Sequence, residues 1–189
     1  MRDFFSDKAF IKKDYRNQRL PKGDYENCLF RNCQFQEGYL DNQHFVDCQF
    51  LDCDLTNANI TNSQFNEVLF EECKLVGIRF ETCDPLLSRF QFKDSNLEMA
   101  SFYEMELSNT VFLDCKLHKV DWTLTNLKNA KFSNCDLKNA VFEGSMLEGT
   151  DFTSAFNYTI DPNKNTIKKS KYSKEGLIGL LKKHDIVVI

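Results

Sequence analysis

The chain has 189 residues, with 24 Lys and Arg, 28 Asp and Glu, seven glycines and a formal net charge of −4. It carries no Gly-rich phosphate loop, no G-x-S-x-G elbow and no H-E-x-x-H helix, and its three histidines are far apart. These features give no support to an enzyme or to a cofactor site. No apolar N-terminal segment points to export, so we expect a cytoplasmic protein without membrane contact.

A large apolar residue recurs at every fifth position through most of the chain. Twelve such centres run from Tyr25 to Phe80, and fourteen run from Leu87 to Phe152. A period of five fits neither an α-helix nor a flat strand. A short fixed repeat is typical of a solenoid, in which each unit buries its apolar residue against its neighbours. We therefore predict a solenoid over residues 23–154.

Residues 1–22 follow this period only in part. The centre positions hold Phe10, Tyr15 and Leu20. The positions two residues earlier, which carry small residues in the repeats, hold Lys8, Lys13 and Gln18. An uncapped solenoid exposes the edges of its β-ladders, so both ends need covering. We therefore predict that this segment is an irregular N-terminal coil or cap.

The cysteines follow the same five-residue period, two residues before a centre position. They are Cys28, Cys33, Cys48, Cys53, Cys73, Cys83, Cys115 and Cys135. Other repeats place Ala or Ser there, so the position favours small residues. A zinc site that also uses His44 or His118 is an alternative, but zinc needs a closed set of four ligands and the Cys spacing equals the repeat period. We predict reduced, structural thiols, with no metal site and no disulfide.

The repeat unit is a small residue, a polar residue, Leu or Phe, and two polar residues, and this pattern resembles the pentapeptide-repeat family. Clear copies are residues 53–57 (CDLTN) and 130–134 (AKFSN). The resemblance covers most of the chain. It implies an all-β solenoid, namely a right-handed quadrilateral β-helix with one pentapeptide per side and about 20 residues per coil.

Stacking every fourth centre tests this implication within the sequence. One side then carries only phenylalanine, at Phe30, Phe50, Phe70, Phe92, Phe112, Phe132 and Phe152. Like shapes stack with the least void, so we predict that this column forms the structural core. The period slips by two residues between Phe80 and Leu87, but the column continues in phase. We therefore predict a small corner bulge around Pro85 without a role of its own.

The C-terminal segment, residues 155–189, departs from the repeat. It is polar up to Lys171, with a turn predicted at residues 161–163. Ser173 is a candidate N-cap, and an apolar face at helical spacing follows over residues 174–183. Similar ends in the Qnr and MfpA quinolone-resistance group of the family form a helical cap that dimerises. The resemblance therefore implies a C-terminal α-helical cap and a homodimer built by Leu177, Leu180, Leu181, Ile186 and Val188. The alternative is a cap that packs only on its own last coil.

Charge is unevenly distributed along the chain. Residues 1–23 and residues 161–189 each hold seven basic and three acidic residues, whereas the solenoid between them holds 10 basic and 22 acidic residues. Its net negative charge amounts to about one per 2.6 Å of rod, compared with about one per 1.7 Å for duplex DNA. One side, which we call the acidic side, has Arg79 as its single basic residue and carries Asp41, Glu81, Glu104, Asp121 and Glu143.

Such a charge argues against direct binding of nucleic acid, because phosphates would be repelled. In the Qnr and MfpA group an acidic rod resembles DNA and engages DNA gyrase or topoisomerase IV. The resemblance therefore implies a non-enzymatic bacterial DNA mimic that binds a type II topoisomerase through the acidic side and modulates fluoroquinolone sensitivity. The insertion has only two residues and leaves no room for the long loops that Qnr proteins use in protection. This departure weakens the expectation of drug protection more than the expectation of gyrase binding. The alternative is a general cytoplasmic interaction scaffold, because solvated charge is the commoner reason for an acidic surface.

Overall fold

A computed structural model describes residues 2–86, 88–184 and 186–187, which form a parallel β-solenoid of about eight turns followed by a short helix. The strands are β1 (Asp3–Ser6), β2 (Ala9–Ile11), β3 (Gly23–Glu26), β4 (Leu29–Arg31), β5 (His44–Val46), β6 (Gln49–Leu51), β7 (Gln64–Asn66), β8 (Val68–Glu71), β9 (Phe90–Lys93), β10 (Val111–Leu113), β11 (Lys131–Ser133), β12 (Asp151–Phe152) and β13 (Lys171–Tyr172). Helix α1 (Ile178–Leu181) lies between the 3₁₀ turns Glu175–Leu177 and Lys182–His184, and a third 3₁₀ turn is Phe80–Thr82.

Each coil contributes to four ladders, one on each side of the solenoid. Strands β1, β3, β5 and β7 build the first side, and the other nine strands build the second. Isolated parallel bridges form the two remaining sides. Gln34 pairs with Asp54 on the third side, and Ser101 pairs with Asp121 on the acidic side. Phe30 pairs with Phe50 and Phe50 with Phe70, so a coil has 20 residues. These ladders confirm the four-sided solenoid that the resemblance to the pentapeptide-repeat family implies.

The phenylalanine column lies inside the second side. All seven predicted members are buried, and their rings stack in parallel with centroid separations of 4.6 Å between Phe30 and Phe50 and 5.2 Å between Phe92 and Phe112. Rings from the acidic side pack edge-on against them, as Trp122 does against Phe112 at 5.3 Å. Both arrangements are favourable for aromatic pairs, so this column forms the centre of the hydrophobic core.

The corners between sides depend on the last residue of each repeat, which adopts a left-handed conformation. Among the described residues, 24 other than glycine have positive φ, and ten of these are Asn and five are Asp. Asn and Asp tolerate this conformation better than other side chains. The N–H group at most of these corners donates to a carbonyl of the next coil, as Asn57 does to Val76 at 2.9 Å. The polar end of the repeat therefore turns the chain and links successive coils.

The small residue two positions before each centre also forms hydrogen bonds, a role that the sequence did not predict. The Cys53 thiol donates to the carbonyl of Phe30 at 3.4 Å, and the Thr125 hydroxyl donates to the carbonyl of Phe102 at 2.7 Å. Burial raises the pKa of Cys48 to about 12 and that of Cys83 to about 11. All eight cysteines are free and buried. Within the described ranges, no group of three His, Cys, Asp or Glu side chains is arranged to hold a metal ion.

The first coil is more regular than predicted. Strands β1 and β2 pair in parallel with β3 and β4, so the ladders extend through the segment predicted to be an irregular cap. The ring of Phe10 stacks on Phe30 at 4.7 Å. Lys8 and Lys13 are exposed, yet their carbonyls accept bonds from the second coil. Among the described residues no further coil packs on these positions, so they do not need small side chains here.

The insertion lengthens one coil by two residues, because Phe70 pairs with Phe92. The Ser88 hydroxyl donates to the Asp84 carbonyl at 2.6 Å, which closes a turn around Pro85. Leu87, a predicted centre, lies outside the described residues. Phe90 fills the core here instead, with its ring 5.7 Å from that of Phe65. The sequence did not predict this role, because Phe90 occupies a position that is small in other repeats.

The ladders also extend beyond residue 154, the predicted end of the solenoid. Strand β13 pairs with β12, and the ring of Tyr172 stacks on Phe152 at 5.5 Å. The period is hidden here because Asn157 takes the place of an apolar centre and is exposed. Ser173 accepts a hydrogen bond from the Gly176 N–H group at 2.9 Å, in agreement with its predicted capping role. None of the helices within the described parts of the chain has the length and apolar character needed to cross a membrane.

Candidate protein-binding surfaces

The five carboxylates of the acidic side lie on the outer face of the coils that bury Leu40, Phe80 and Trp122. The backbone ladder fixes their order along the rod, because Ser101, Asp121 and Val141 follow one another by parallel bridges. A shallow groove beside the insertion adjoins this side and is lined in part by Glu81, Tyr103 and Glu104. The acidic side is therefore an open surface with a shallow groove beside it rather than a closed pocket.

Three of the five acidic-side carboxylates are paired with basic side chains. Glu81 accepts a bond from Arg79 at 2.9 Å, Glu143 binds Lys164 at 2.9 Å, and Asp41 lies 3.5 Å from Arg19. Within the residues that the structure describes, Glu104 and Asp121 form no ion pair. The acidic side is therefore partly neutralised. The sequence count missed Arg19 and Lys164 because both belong to segments outside the predicted solenoid.

A second acidic surface, which we call the acidic corner, consists of Asp52, Glu72, Asp94 and Asp114. Each follows a phenylalanine of the core column by two residues and has a positive φ. The backbone stacks them coil by coil: the Asp52 N–H group donates to Glu71 at 3.0 Å, and the Glu72 N–H group donates to Lys93 at 3.1 Å. Neighbouring coils are about 4.8 Å apart. The corner is therefore a line of carboxylates with one per coil.

Within the acidic corner, the pKa of Glu72 is raised by its neighbours. A hydrogen bond with Asp52 raises the pKa of Glu72, and the charges of Asp52, Glu71 and Asp94 raise it further. Lys93 is the nearby cation, but it binds Glu71 at 2.5 Å and lies 4.0 Å from Asp94. The spacing of two residues after each phenylalanine is present in the sequence. This pattern shows only when residues are compared by corner, because a grouping by side separates the corner residues from one another.

The third side is close to neutral. Glu98 lies 2.6 Å from Lys116 and 3.7 Å from Lys119, and the bond with Lys116 lowers the pKa of Glu98. Asp54 lies 3.6 Å from Lys74. This side therefore contributes less uncompensated negative charge than the acidic corner does.

Exposed apolar residues lie on the helical segment and two residues after its end, and we call them the C-terminal apolar face: Leu177, Ile178, Leu181 and Ile186. Of the residues predicted to form a dimer, Leu177, Leu181 and Ile186 are exposed by 47%, 38% and 53%. Leu180 is instead partly buried against the core of its own chain. Val188 lies outside the described residues.

The helix backbone docks closely on the last coil. The Gly179 carbonyl accepts a hydrogen bond from the Ile160 N–H group at 3.0 Å. A Cβ atom at Gly179 would lie 2.6 Å from the Tyr158 carbonyl oxygen, so a larger residue would force the helix away. This contact fixes which face of the helix remains exposed.

Comparisons with known proteins agree with this architecture. A family model described as "Pentapeptide repeat region" matches residues 23–101 and 79–152. No curated protein matches the chain. The solved structure of full-length QnrB1, described as a plasmid-mediated fluoroquinolone resistance protein, is similar with a TM-score of 0.57 and 17% identity, and the match covers 97% of this chain and 100% of that one. A trypsin-treated variant of QnrB1 gives a TM-score of 0.59 and 19% identity over 99% and 100% of the two chains.

Proposed function

Because this chain belongs to the pentapeptide-repeat family, we propose that it is a non-enzymatic, acidic DNA mimic that binds a type II topoisomerase, DNA gyrase or topoisomerase IV, in the bacterial cytoplasm. The acidic corner carries this proposal. Its carboxylates repeat about every 4.8 Å along a rigid line, compared with about 3.4 Å between phosphates along one DNA strand. A protein surface built to hold DNA is basic and would attract such a line.

Two features of the solenoid support this proposal. Between Asp24 and Ile160 it carries 22 acidic and 10 basic residues, so its net charge has the sign of DNA. The parallel ladders hold the backbone positions of these residues at fixed spacing, so little ordering of the backbone is needed when a partner binds. Similarity to QnrB1 at 17% identity is a similarity of fold, and the proposed partner depends on the charge arrangement of this chain.

We further propose that inhibition of the topoisomerase exceeds protection from fluoroquinolones. The described coils depart from the repeat by one short insertion around Pro85, which is too small to reach far beyond the rod. An acidic rod without long loops can occupy a DNA-binding surface, but it offers few contacts to a drug site deeper in the enzyme.

The decisive experiment is gyrase supercoiling with increasing purified protein, with and without a fluoroquinolone, at about 50 mM and about 200 mM salt. We expect inhibition at low salt that fades at high salt, because contacts between charged surfaces are screened. An unrelated acidic protein of equal net charge serves as the control. No inhibition at micromolar protein would reject the proposal and favour an interaction scaffold with another partner.

We also propose a homodimer formed by the C-terminal apolar face. The face would otherwise expose four large apolar side chains at the end of the rod, and such clusters are typical of interaction sites. Leu180 is excluded from the test because it packs partly on its own coil.

Replacing Leu177 and Leu181 by Asp should convert the dimer into a monomer, because both side chains are exposed and the change leaves the core intact. Light scattering would measure the mass. Val111→Asp, on an exposed position of the second side, is the control and should leave the dimer unchanged. A variant with the same mass as the original chain would contradict this interface.

A further inference from the structure

Four exposed apolar side chains lie on the outer face of the acidic side, at its corner with the first side, and on the adjoining part of the first side. They are Tyr103, Leu124, Val141 and Met146, with exposed fractions of 39%, 46%, 46% and 43%. We call this group the apolar ridge. Its members come from neighbouring coils, since the N–H group of Glu104 donates to Thr123 and that of Leu124 donates to Glu143.

The leucine of the ridge is held across the coil boundary. A Cβ atom at Gly144, in the next coil, would lie 2.7 Å from Leu124 Cδ2, so the leucine side chain covers that glycine. Met146 follows Gly144 by two residues. The glycine therefore leaves room for the Leu124 side chain to cover the next coil, which is the coil that carries Val141 and Met146.

Backbone conformation shows that Leu124 is a disfavoured choice for folding alone. It lies at a corner with a φ of 57°, where ten other corners carry Asn. A left-handed conformation is unfavourable for a large apolar side chain, and such departures concentrate at functional sites. Met99 is the other apolar residue among the positive-φ residues that the structure describes, and it lies at the opposite corner of the acidic side.

The ridge is bordered by the two acidic-side carboxylates that lack an ion pair among the described residues. Glu104 lies one coil before Leu124 in the corner column, and Asp121 lies one coil before Val141 in the ladder. Glu104 also contacts Tyr103, whose pKa it raises. Negative charge and exposed apolar surface therefore alternate over neighbouring coils.

We propose that the apolar ridge is a specific docking site for a basic protein surface. The aliphatic stems of Lys or Arg and an adjoining apolar residue of the partner pack on Tyr103, Leu124 and Val141, while the cationic groups pair with Glu104 and Asp121. Lys and Arg combine an apolar stem with a charged end, which matches this arrangement. A DNA backbone has no counterpart to the apolar ridge. A partner that packs on the ridge therefore makes a contact that a surface imitating only phosphates could not offer.

This inference rests on the proposed function, because the type II topoisomerase is the basic partner used to test it. The test variant combines Leu124→Asn with Val141→Thr. The control variant combines Met99→Asn with Val111→Thr, which removes similar exposed apolar side chains at 52% and 44% exposure outside the ridge. Both changes to Asn place the preferred residue at a left-handed corner, so neither variant should melt below the original chain.

Surface plasmon resonance against gyrase at about 50 mM and about 200 mM salt gives the result. We expect the ridge variant to bind about tenfold more weakly at both salt concentrations, mainly through faster dissociation, while the control binds within about twofold of the original chain. Equal binding by the original chain and the ridge variant would overturn the ridge alone. No binding by the original chain would overturn both the proposed function and the ridge.

Discussion

The acidic side and the acidic corner contain the same residue types, but the cations beside them differ. On the acidic side three of five carboxylates bind Arg19, Arg79 or Lys164. At the acidic corner the carboxylates follow one another along the rod, and a hydrogen bond with Asp52, together with the charges of Asp52, Glu71 and Asp94, raises the pKa of Glu72. The number of carboxylates on a surface is therefore a poor measure of its potential, because the partners of each carboxylate determine how much negative charge remains.

The largest effect should come from removing charge at the acidic corner. Asp52→Asn, Glu72→Gln and Asp114→Asn together should weaken topoisomerase binding by about tenfold or more at low salt, because three uncompensated charges are lost. Asn is well tolerated at left-handed corners, so the fold should persist. Binding would be measured by titration at about 50 mM salt.

The matched control neutralises three paired carboxylates of the acidic side, by Asp41→Asn, Glu81→Gln and Glu143→Gln. We expect about a threefold loss or less, since their charge is already balanced by bound cations. Equal losses in the two variants would show that the distinction between the surfaces has no effect on binding.

A smaller effect should follow from releasing the paired carboxylates. Arg19→Gln with Lys164→Gln frees Asp41 and Glu143 and should tighten topoisomerase binding about two- to threefold at low salt, with no gain at high salt. Thermal stability should change little, because the ion pairs lie at the surface. Unchanged affinity at low salt would show that this part of the acidic side does not contact the partner.

The smallest effect concerns stability. Glu72→Gln should raise the melting temperature at pH 7 by about 1 °C, because it removes repulsion within the acidic corner. The raised pKa of Glu72 means that this repulsion is present above that pKa and is relieved as the pH falls through it. The gain should therefore disappear below the ordinary Glu pKa of 4.5. Calorimetry at pH 7 and at a pH below 4.5 would measure the change in melting temperature.

Glu143→Gln is the control for this stability measurement, because Glu143 is bound to Lys164 rather than repelled by a neighbour. It should give no increase in melting temperature at either pH. A similar increase in both variants would attribute the effect to net charge rather than to the corner.

Much of the fold could be predicted from the sequence because each coil repeats one local solution. Phe30 and Phe132 are predicted to belong to one column because identical centres recur at a fixed interval, and both rings stack on the phenylalanine of the next coil. The exceptions lie where the repeat contacts something different. Phe90 fills space opened by the insertion, and Tyr172 continues the column after exposed Asn157 interrupts the period.

The candidate surfaces were less predictable, because exposed charges depend on neighbours that are distant in sequence. Asp41 is partly neutralised by Arg19, which belongs to the coil predicted to be irregular. The docking of Leu180 against the core likewise requires the position of the helix on the last coil. Periodicity identifies which residues point inward, but it does not identify which outward residues meet.

The buried thiols can report how far the solenoid has unfolded. Each cysteine is buried, and burial holds the pKa of Cys48 at about 12, so alkylating reagents should reach a thiol only when its coil separates from its neighbours. In a solenoid, coils contact only adjacent coils, and the ends are expected to open first. The cysteines are spaced from Cys28 to Cys135, so the order in which they become labelled would record how far unfolding has advanced along the rod.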